Sequence, residues 1–355
     1  MLTALRLRNF RCYDTLRWEI PAEGAVLIGG NAQGKTSLLE ALCFALTLHT
    51  PRAARLDRLA RHGCADFGLS LDTDGGTRRL LWGTGRKLQM SVNSAERRDY
   101  ADYLADAAPV AWLGNSDREL VSGAAEKRRA FLDFLGAQWH PAYRSALQAY
   151  RKALKSRNAL LRHPRRTRAA LDSYAALLVR HGDIITALRL QLLELLRPHT
   201  AHHHRAISGG QETPGLTYLP SCDLPLAEAL ERSLEADERA GFTTVGPHRD
   251  DVLLTIGGVS AAEFASEGQQ RTLATALLLA QATLLQAETG QPPILLIDDI
   301  FGELDPARRK ALLAALPADA QLFITTTHLD WMQDTPCPLP VLRVQGGTVE
   351  PQSLS

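Results

Sequence analysis

The run Gly29-Gly30-Asn31-Ala32-Gln33-Gly34-Lys35-Thr36 constrains this chain more than any other eight residues. It fits the pattern GxxxxGK[ST], and its flanks are the ones that pattern requires. Gly24 to Ile28 reads as a short apolar strand, and from Thr36 to Leu48 the residues Leu38, Leu39, Leu42 and Leu46 fall at helical spacing. A strand, a glycine loop and a helix in that order turn backbone N–H groups around a phosphate, with the positive end of the helix dipole behind them. Lys35 neutralises β and γ oxygens, and the Thr36 hydroxyl ligates Mg²⁺. The candidate nucleotide contacts are Gly29, Asn31, Gln33, Gly34, Lys35, Thr36 and Ser37.

Ile294-Leu295-Leu296-Ile297-Asp298-Asp299 is an apolar strand ending in two carboxylates. An acid at the carboxyl end of a parallel strand stands at the mouth of the sheet, where ligands bind. Asp298 is placed to hold Mg²⁺ through water, and Asp299 to polarise or deprotonate an attacking water. Ser266-Glu267-Gly268-Gln269-Gln270-Arg271 opens a helix reaching about Ala287. A serine cap and open helix amides make a second anion site, which a lone phosphate loop does not need. Two such helix starts suggest a nucleotide sandwiched between two subunits, each supplying one.

Of the 355 residues, 45% are hydrophobic and 22% charged, the profile of a globular protein with full cores. Cys12, Cys43, Cys64, Cys222 and Cys337 are odd in number and form no CxxC pair, so neither a zinc ribbon nor a disulfide framework is expected. No apolar run reaches the ~18 residues that span a bilayer. A cytoplasmic chain with no membrane partner is the expectation. His199, His202, His203 and His204 have no cysteine or acidic partner at ligand spacing and are not expected to bind metal.

The net charge of +1 conceals an uneven distribution. From Phe134 to Leu171 no acid occurs, while Arg144, Arg151, Lys152, Lys155, Arg157, Arg162, Arg165, Arg166 and Arg168 are all basic. From Asp223 to Arg239 six acids face two arginines. Two helical series, Leu147 to Leu161 and Tyr174 to Leu195, flank the polar turn Arg162 to Arg168 and predict an antiparallel helical hairpin with positive charge at its tip. Arg162, Arg165, Arg166 and Arg168 are the candidate DNA contacts, since arginine clusters hold phosphates without reading sequence. Lysines number six against 34 arginines, so part of this content reflects composition rather than a site. His181, in the apolar seam, is expected to be a packed, neutral histidine.

Strand-rich ends and a helical middle predict an α/β fold: a head with a parallel sheet and an antiparallel β subdomain, interrupted by an inserted helical arm. Residues 1–114 and 242–355 are assigned to the head and 115–241 to the arm. Phe67 to Leu71 and Arg78 to Trp82 are expected to pair as a hairpin around Asp74-Gly75-Gly76. Val252 to Ile256, Ile294 to Ile297, Leu322 to Thr326 and Val341 to Val344 read as strands of the parallel sheet.

The Ser266 segment resembles the signature motif of ABC-type ATPases, including the SMC and Rad-type repair ATPases. Taken with Asn9-Phe10-Arg11, the loop from Gly29, Gly246-Pro247-His248-Arg249-Asp250-Asp251, and Leu295 to Asp305, the chain resembles the bacterial RecF family of DNA repair proteins over most of its length. The resemblance implies an ATP- and Mg²⁺-dependent homodimer that binds double-stranded DNA or gap junctions without sequence preference. It implies slow, DNA-stimulated ATP hydrolysis and work with RecR and RecO in loading recombinase. Carried over by motif, Lys35, Thr36 and Asp298 bind ATP and Mg²⁺, and Asp299 stands where ABC ATPases usually carry glutamate. Ser266, Gly268 and Gln269 reach the γ-phosphate of the opposite subunit, Glu303-Leu304-Asp305 lines the dimer seam, and His328 is the candidate γ-phosphate sensor. Glu267 is expected to point away from the nucleotide.

The rival reading is the ATPase subunit of a membrane transporter, which needs a compact helical domain facing a membrane partner. A phosphate-loop kinase has no use for the Ser266 helix start. An SMC-type bridge is disfavoured, because some 25 helical residues give an arm of only about 40 Å.

Overall fold

Alternation of apolar and polar residues sets the first sheet. In the computed structural model, which describes residues 1–51, 55–114, 118–210, 212–302, 304, 306–317 and 319–352, Leu2, Leu5, Leu7 and Phe10 of β1 (Leu2–Phe10) are buried. β1 pairs antiparallel with β2 (Tyr13–Glu19). β3 (Gly24–Ile28) is apolar throughout and leads through the glycine loop into α1 (Lys35–Thr47). β4 (Asp66–Thr73) and β5 (Gly76–Gly83) form the expected hairpin, with Thr73 opposite Gly76. β6 (Gln89–Val92), β7 (Ala95–Arg97), a short α2 (Tyr100–Leu104) and β8 (Val110–Gly114) complete this stretch.

The middle of the chain is mostly helical. α3 (Arg118–Ser122) and α4 (Ala125–Trp139) precede α5 (Pro141–Leu161) and α6 (Arg168–Ser208). α5 and α6 are the predicted hairpin, but α6 runs 41 residues, about 60 Å at 1.5 Å per residue, longer than the sequence suggested because it continues past Pro198. Tyr143, Tyr150, Leu178 and Ile185 are buried together along this hairpin. His181, expected to be packed in the seam, is only partly buried; burial, then nearby Arg180, lowers its pKa. After β9 (Pro214–Leu219) come α7 (Leu226–Arg232), α8 (Leu234–Ala240), β10 (Asp251–Ile256), β11 (Val259–Ser260), α9 (Ala261–Phe264) and α10 (Glu267–Thr289).

The last stretch alternates: β12 (Ile294–Asp298), α11 (Pro306–Ala315), β13 (Leu322–Thr326), a one-turn α12 (Trp331–Asp334), β14 (Val341–Gln345) and β15 (Thr348–Pro351). Its strands join those of the first stretch in a sheet of order β15-β14-β3-β13-β12-β8. From β14 to β8 every pair is parallel, and β15 closes one edge antiparallel. A separate antiparallel sheet, β2-β1-β4-β5-β6-β7, is the β subdomain expected from the sequence.

The chain divides into two compact units, Met1–Asn115 with Leu285–Ser355, and Ser116–Leu284. The sequence places the second part of the head from residue 242, whereas residues 242–284 cluster with the helical unit. β10 is the reason. Its sequence predicts a strand of the parallel sheet, yet it pairs antiparallel with β9 and β11 in a three-stranded sheet of its own. Its burial alternates, with Val252, Leu254 and Ile256 inside. That is the mark of a one-sided antiparallel strand, in contrast to the unbroken apolar run of β12.

Candidate active site

The parallel sheet brings the ends of β3, β13 and β12 side by side, and the catalytic candidates follow from that order. The loop after β3 is tight. Gly34 has φ +105, and a Cβ there would lie 2.6 Å from the Tyr13 hydroxyl and 2.7 Å from Cys12 Sγ. At Gly29 a Cβ would lie 2.3 Å from the Val344 carbonyl. Only glycine meets both demands. Gln33 Oε1 accepts from the Gly346 N–H (3.1 Å), tying the loop to the β14–β15 turn.

Lys35 is 7% exposed, and its ammonium donates to the carbonyls of Gly29 (2.7 Å) and Gly30 (2.9 Å). Burial lowers its pKa, and the charges of Asp299 and Asp298 oppose the shift. The next residue, Thr36, donates its hydroxyl to Asp298 Oδ1 at 2.8 Å, so the two residues expected to hold Mg²⁺ lie together. Adjacent ligands of octahedral Mg²⁺, at 2.0–2.1 Å from the metal, sit about 2.9 Å apart. Two hard oxygens at this spacing fit that ion.

Thr325 completes the cluster. Its register opposite Asp298 in the β12–β13 pair puts its hydroxyl 2.8 Å from Asp298 Oδ1, to which it donates. Thr325 Oγ1 in turn accepts the Asp299 N–H at 3.0 Å. Asp299 has φ +55, a left-handed conformation that aspartate tolerates at modest cost. The sequence signal for Thr325 was the run Thr325-Thr326-Thr327 at a strand end, legible only once its neighbours are known. Thr326 donates to the His328 carbonyl (2.8 Å) and accepts from the Trp331 indole (3.3 Å), which fixes the strand exit. His328 is half exposed, 3.7 Å from Asp330 and beside Gly302. Glu303 and Asp305, expected at the dimer seam, lie outside the described residues.

Arg11 was known from the sequence only as part of a motif. It grips Glu40, which is 1% exposed, through two hydrogen bonds of 2.7 and 2.6 Å, and so anchors α1. Such bidentate pairs combine strength with fixed geometry.

In the helical unit, Ser266 and Gln269 form a capping box. Gln269 N–H donates to Ser266 Oγ (3.3 Å), and Ser266 N–H donates to Gln269 Oε1 (2.7 Å). Glu267, 73% exposed, pairs with Arg118 at 2.7 Å. The Gly246-to-Asp251 segment is a buried polar knot: Asp251 holds Arg128 through two bonds, Asp250 accepts from Tyr218, and Arg189 donates to the Pro247 carbonyl.

The arginines of the predicted basic face divide. Arg157 is 1% exposed and bonded to Asp237 and Thr243, so it belongs to the core rather than to a surface. At the tip, Arg166 pairs with Glu238 and Arg168 with Glu231 and Asp172, while Arg162 donates to the Gly241 carbonyl. Arg165 is exposed and its guanidinium has no ion pair among the described residues. The acidic stretch after Asp223 folds onto the basic one, a meeting that charge counting along the chain does not reveal. Among the described residues no cluster of histidine, cysteine and acid is arranged to hold a metal, and no helix is long and apolar enough to cross a membrane.

A parallel sheet with a phosphate loop, a paired-carboxylate strand end and an antiparallel β subdomain defines an ATPase head of the ABC and SMC type. A solved SMC head bound to the C-winged helix domain of ScpA shares this fold (TM-score 0.55, 14% identity, 100% of this chain and 98% of that one). Residues 4–95 match the AAA domain family. DNA replication and repair protein RecF of Synechococcus sp. (strain JA-2-3B'a(2-13)) is 37% identical over 99% of this chain and 97% of its own length. That of Anaeromyxobacter sp. (strain Fw109-5) is 37% identical over 99% of both. The solved recombination mediator RecF-ATPrS of the RecFOR pathway superposes with TM-score 0.87 at 27% identity, covering 99% and 98%. The chain belongs to the RecF family of DNA replication and repair proteins. Full-length identity of this kind favours DNA repair over the transporter subunit.

Proposed function

We propose that this chain is an ATP-gated DNA-binding ATPase of recombinational repair, working in the cytoplasm. Two copies close on ATP, hold double-stranded DNA or a gap junction, and help RecR and RecO load recombinase. The observation that carries the reading is the convergence of Lys35, Thr36, Asp298 and Asp299 at the mouth of one sheet, in a family whose solved members include RecF-ATP.

The chemistry assigned to each residue follows from its position. Lys35, resting on the Gly29 and Gly30 carbonyls, moves its ammonium to the β and γ oxygens, while the loop N–H groups cradle the phosphates. Thr36 and Asp298 are the residues that would hold Mg²⁺, whose charge offsets that of the triphosphate. Asp299 orients and deprotonates the attacking water; its carboxylate is one methylene shorter than glutamate, which suits slow hydrolysis and a switch rather than a motor. Ser266, Gly268 and Gln269 of a second copy cap the γ-phosphate, and His328 approaches it from the end of β13. Arg162, Arg165, Arg166 and Arg168 take DNA phosphates. The carboxylates now paired with Arg168 are exposed and that paired with Arg166 is partly so; such surface pairs are worth about 0–1 kcal/mol, so a polyanion displaces them readily.

The test is light scattering after size exclusion with ADP, with ATP, and with ATP plus DNA. A mass of two chains with ATP, one with ADP, and co-elution with DNA are expected. A single-chain mass at saturating ATP and DNA overturns the reading.

A further inference from the structure

Gln269 spends its side chain on two partners. Its Oε1 caps the Ser266 N–H, and its Nε2 donates to Glu212 Oε1 at 2.6 Å. Glu212 lies just beyond α6, and its other oxygen is 3.8 Å from Nε2 of His204, on the last turns of that helix. His204 is fully buried, and the Glu212 segment is what lies against its ring. A second tie runs in parallel: His203, also on α6, is 2.8 Å from Thr283 Oγ1 of α10.

From this geometry we infer that Glu212 is a positioning residue for the signature helix, carrying the position of the arm helix α6 to Gln269. The inference rests on the proposed function for what Gln269 does, and adds how Gln269 is set. One carboxylate oxygen fixes the amide; the other lies beside the buried His204 imidazole, whose contact with Glu212 ties that segment to the end of α6. A displacement of the end of α6, such as DNA drawn onto the arm imposes, moves Glu212 and with it the amide whose Oε1 caps Ser266. The helix start that meets the partner copy's nucleotide is thereby ordered or loosened by the arm.

The test uses the full chain with Glu212→Ala and Glu212→Gln. Glu212 is in part exposed, so both variants should fold, which thermal unfolding checks. In the nucleotide-free protein, Glu212→Ala should speed amide hydrogen exchange in residues 266–272 by about tenfold, while Glu212→Gln, which keeps an acceptor for Gln269, stays within about threefold of wild type. With ATP, Glu212→Ala should bind nucleotide as wild type does, yet need about tenfold more protein to dimerise; Glu212→Gln should restore most of this. Unchanged exchange in Glu212→Ala overturns the inference. So does equal loss in the two variants, which marks a merely structural contact. Failure of wild type itself to dimerise with ATP overturns the proposed function instead, and leaves the exchange result to decide the role of Glu212.

Discussion

Thr36 and Asp298 stand 262 residues apart in the chain and meet through a single 2.8 Å hydrogen bond, hydroxyl to carboxylate. The cation site proposed above needs both oxygens, and this hydrogen bond is where they meet. The order β3-β13-β12 enforces it, and Thr325, on the strand between, donates to the same carboxylate oxygen.

Replacing Lys35 with Met keeps the aliphatic stem and removes the ammonium. Because that ammonium is nearly buried and held by two loop carbonyls, the loop keeps its shape while losing the charge that meets the triphosphate. Titration calorimetry should find ATP affinity reduced at least about 100-fold, or ~2.7 kcal/mol, with no ATP-dependent dimer. Affinity within a few fold of wild type contradicts the assignment.

Asp299→Asn retains size and the backbone bonds to Thr325 but cannot accept a proton. Nucleotide binding and dimerisation should persist while turnover falls by roughly 10²–10⁴, the usual contribution of a general base. Phosphate release measured at saturating ATP decides this, and normal turnover assigns the base elsewhere.

Changing Arg162, Arg165, Arg166 and Arg168 together to Gln removes four tip charges. Fluorescence anisotropy at several salt concentrations should give weaker DNA binding and a log–log salt slope shallower by up to about 3 to 4, since each phosphate contact contributes about 0.9. An unchanged slope moves the DNA contact off the arm.

His203 links stability to pH. It is 4% exposed, and burial, with His202 and His199 nearby, pushes its pKa down to about 4. In the unfolded chain it titrates near about 6.5. Between these values the unfolded chain binds more protons, so stability falls as pH drops through that window and levels off below it. The loss is on the order of 3 kcal/mol. Urea unfolding of wild type and His203→Gln at about pH 7 and about pH 4 should show a smaller pH-dependent loss in the variant; equal losses contradict the shift.

Much of the site was legible because its determinants are local. The spacing of glycines before Lys35 reports a tight loop, and at Gly29 and Gly34 neighbouring atoms of the chain leave no room for a Cβ. The Ser266 box is likewise a pattern of neighbours. What misled was pattern read without a partner: Val252 to Ile256 has strand character in any sheet, and its neighbours β9 and β11 decided which sheet. Arg157 has the composition of a DNA contact, but Asp237 and Thr243 draw it into the core.

By itself, then, the sequence determined the elements, the phosphate loop, the carboxylate-bearing strand and the capped signature helix, since each is written within a few residues by steric and hydrogen-bonding rules. The tertiary structure alone decided which charges cancel, that Thr325 joins Asp298 and Asp299, that Arg11 anchors α1 through Glu40, and that Glu212 ties Gln269 to the arm helix. These residue pairings span 26 to 57 residues, and contacts at such separations are fixed by sheet order and packing, which no local pattern encodes.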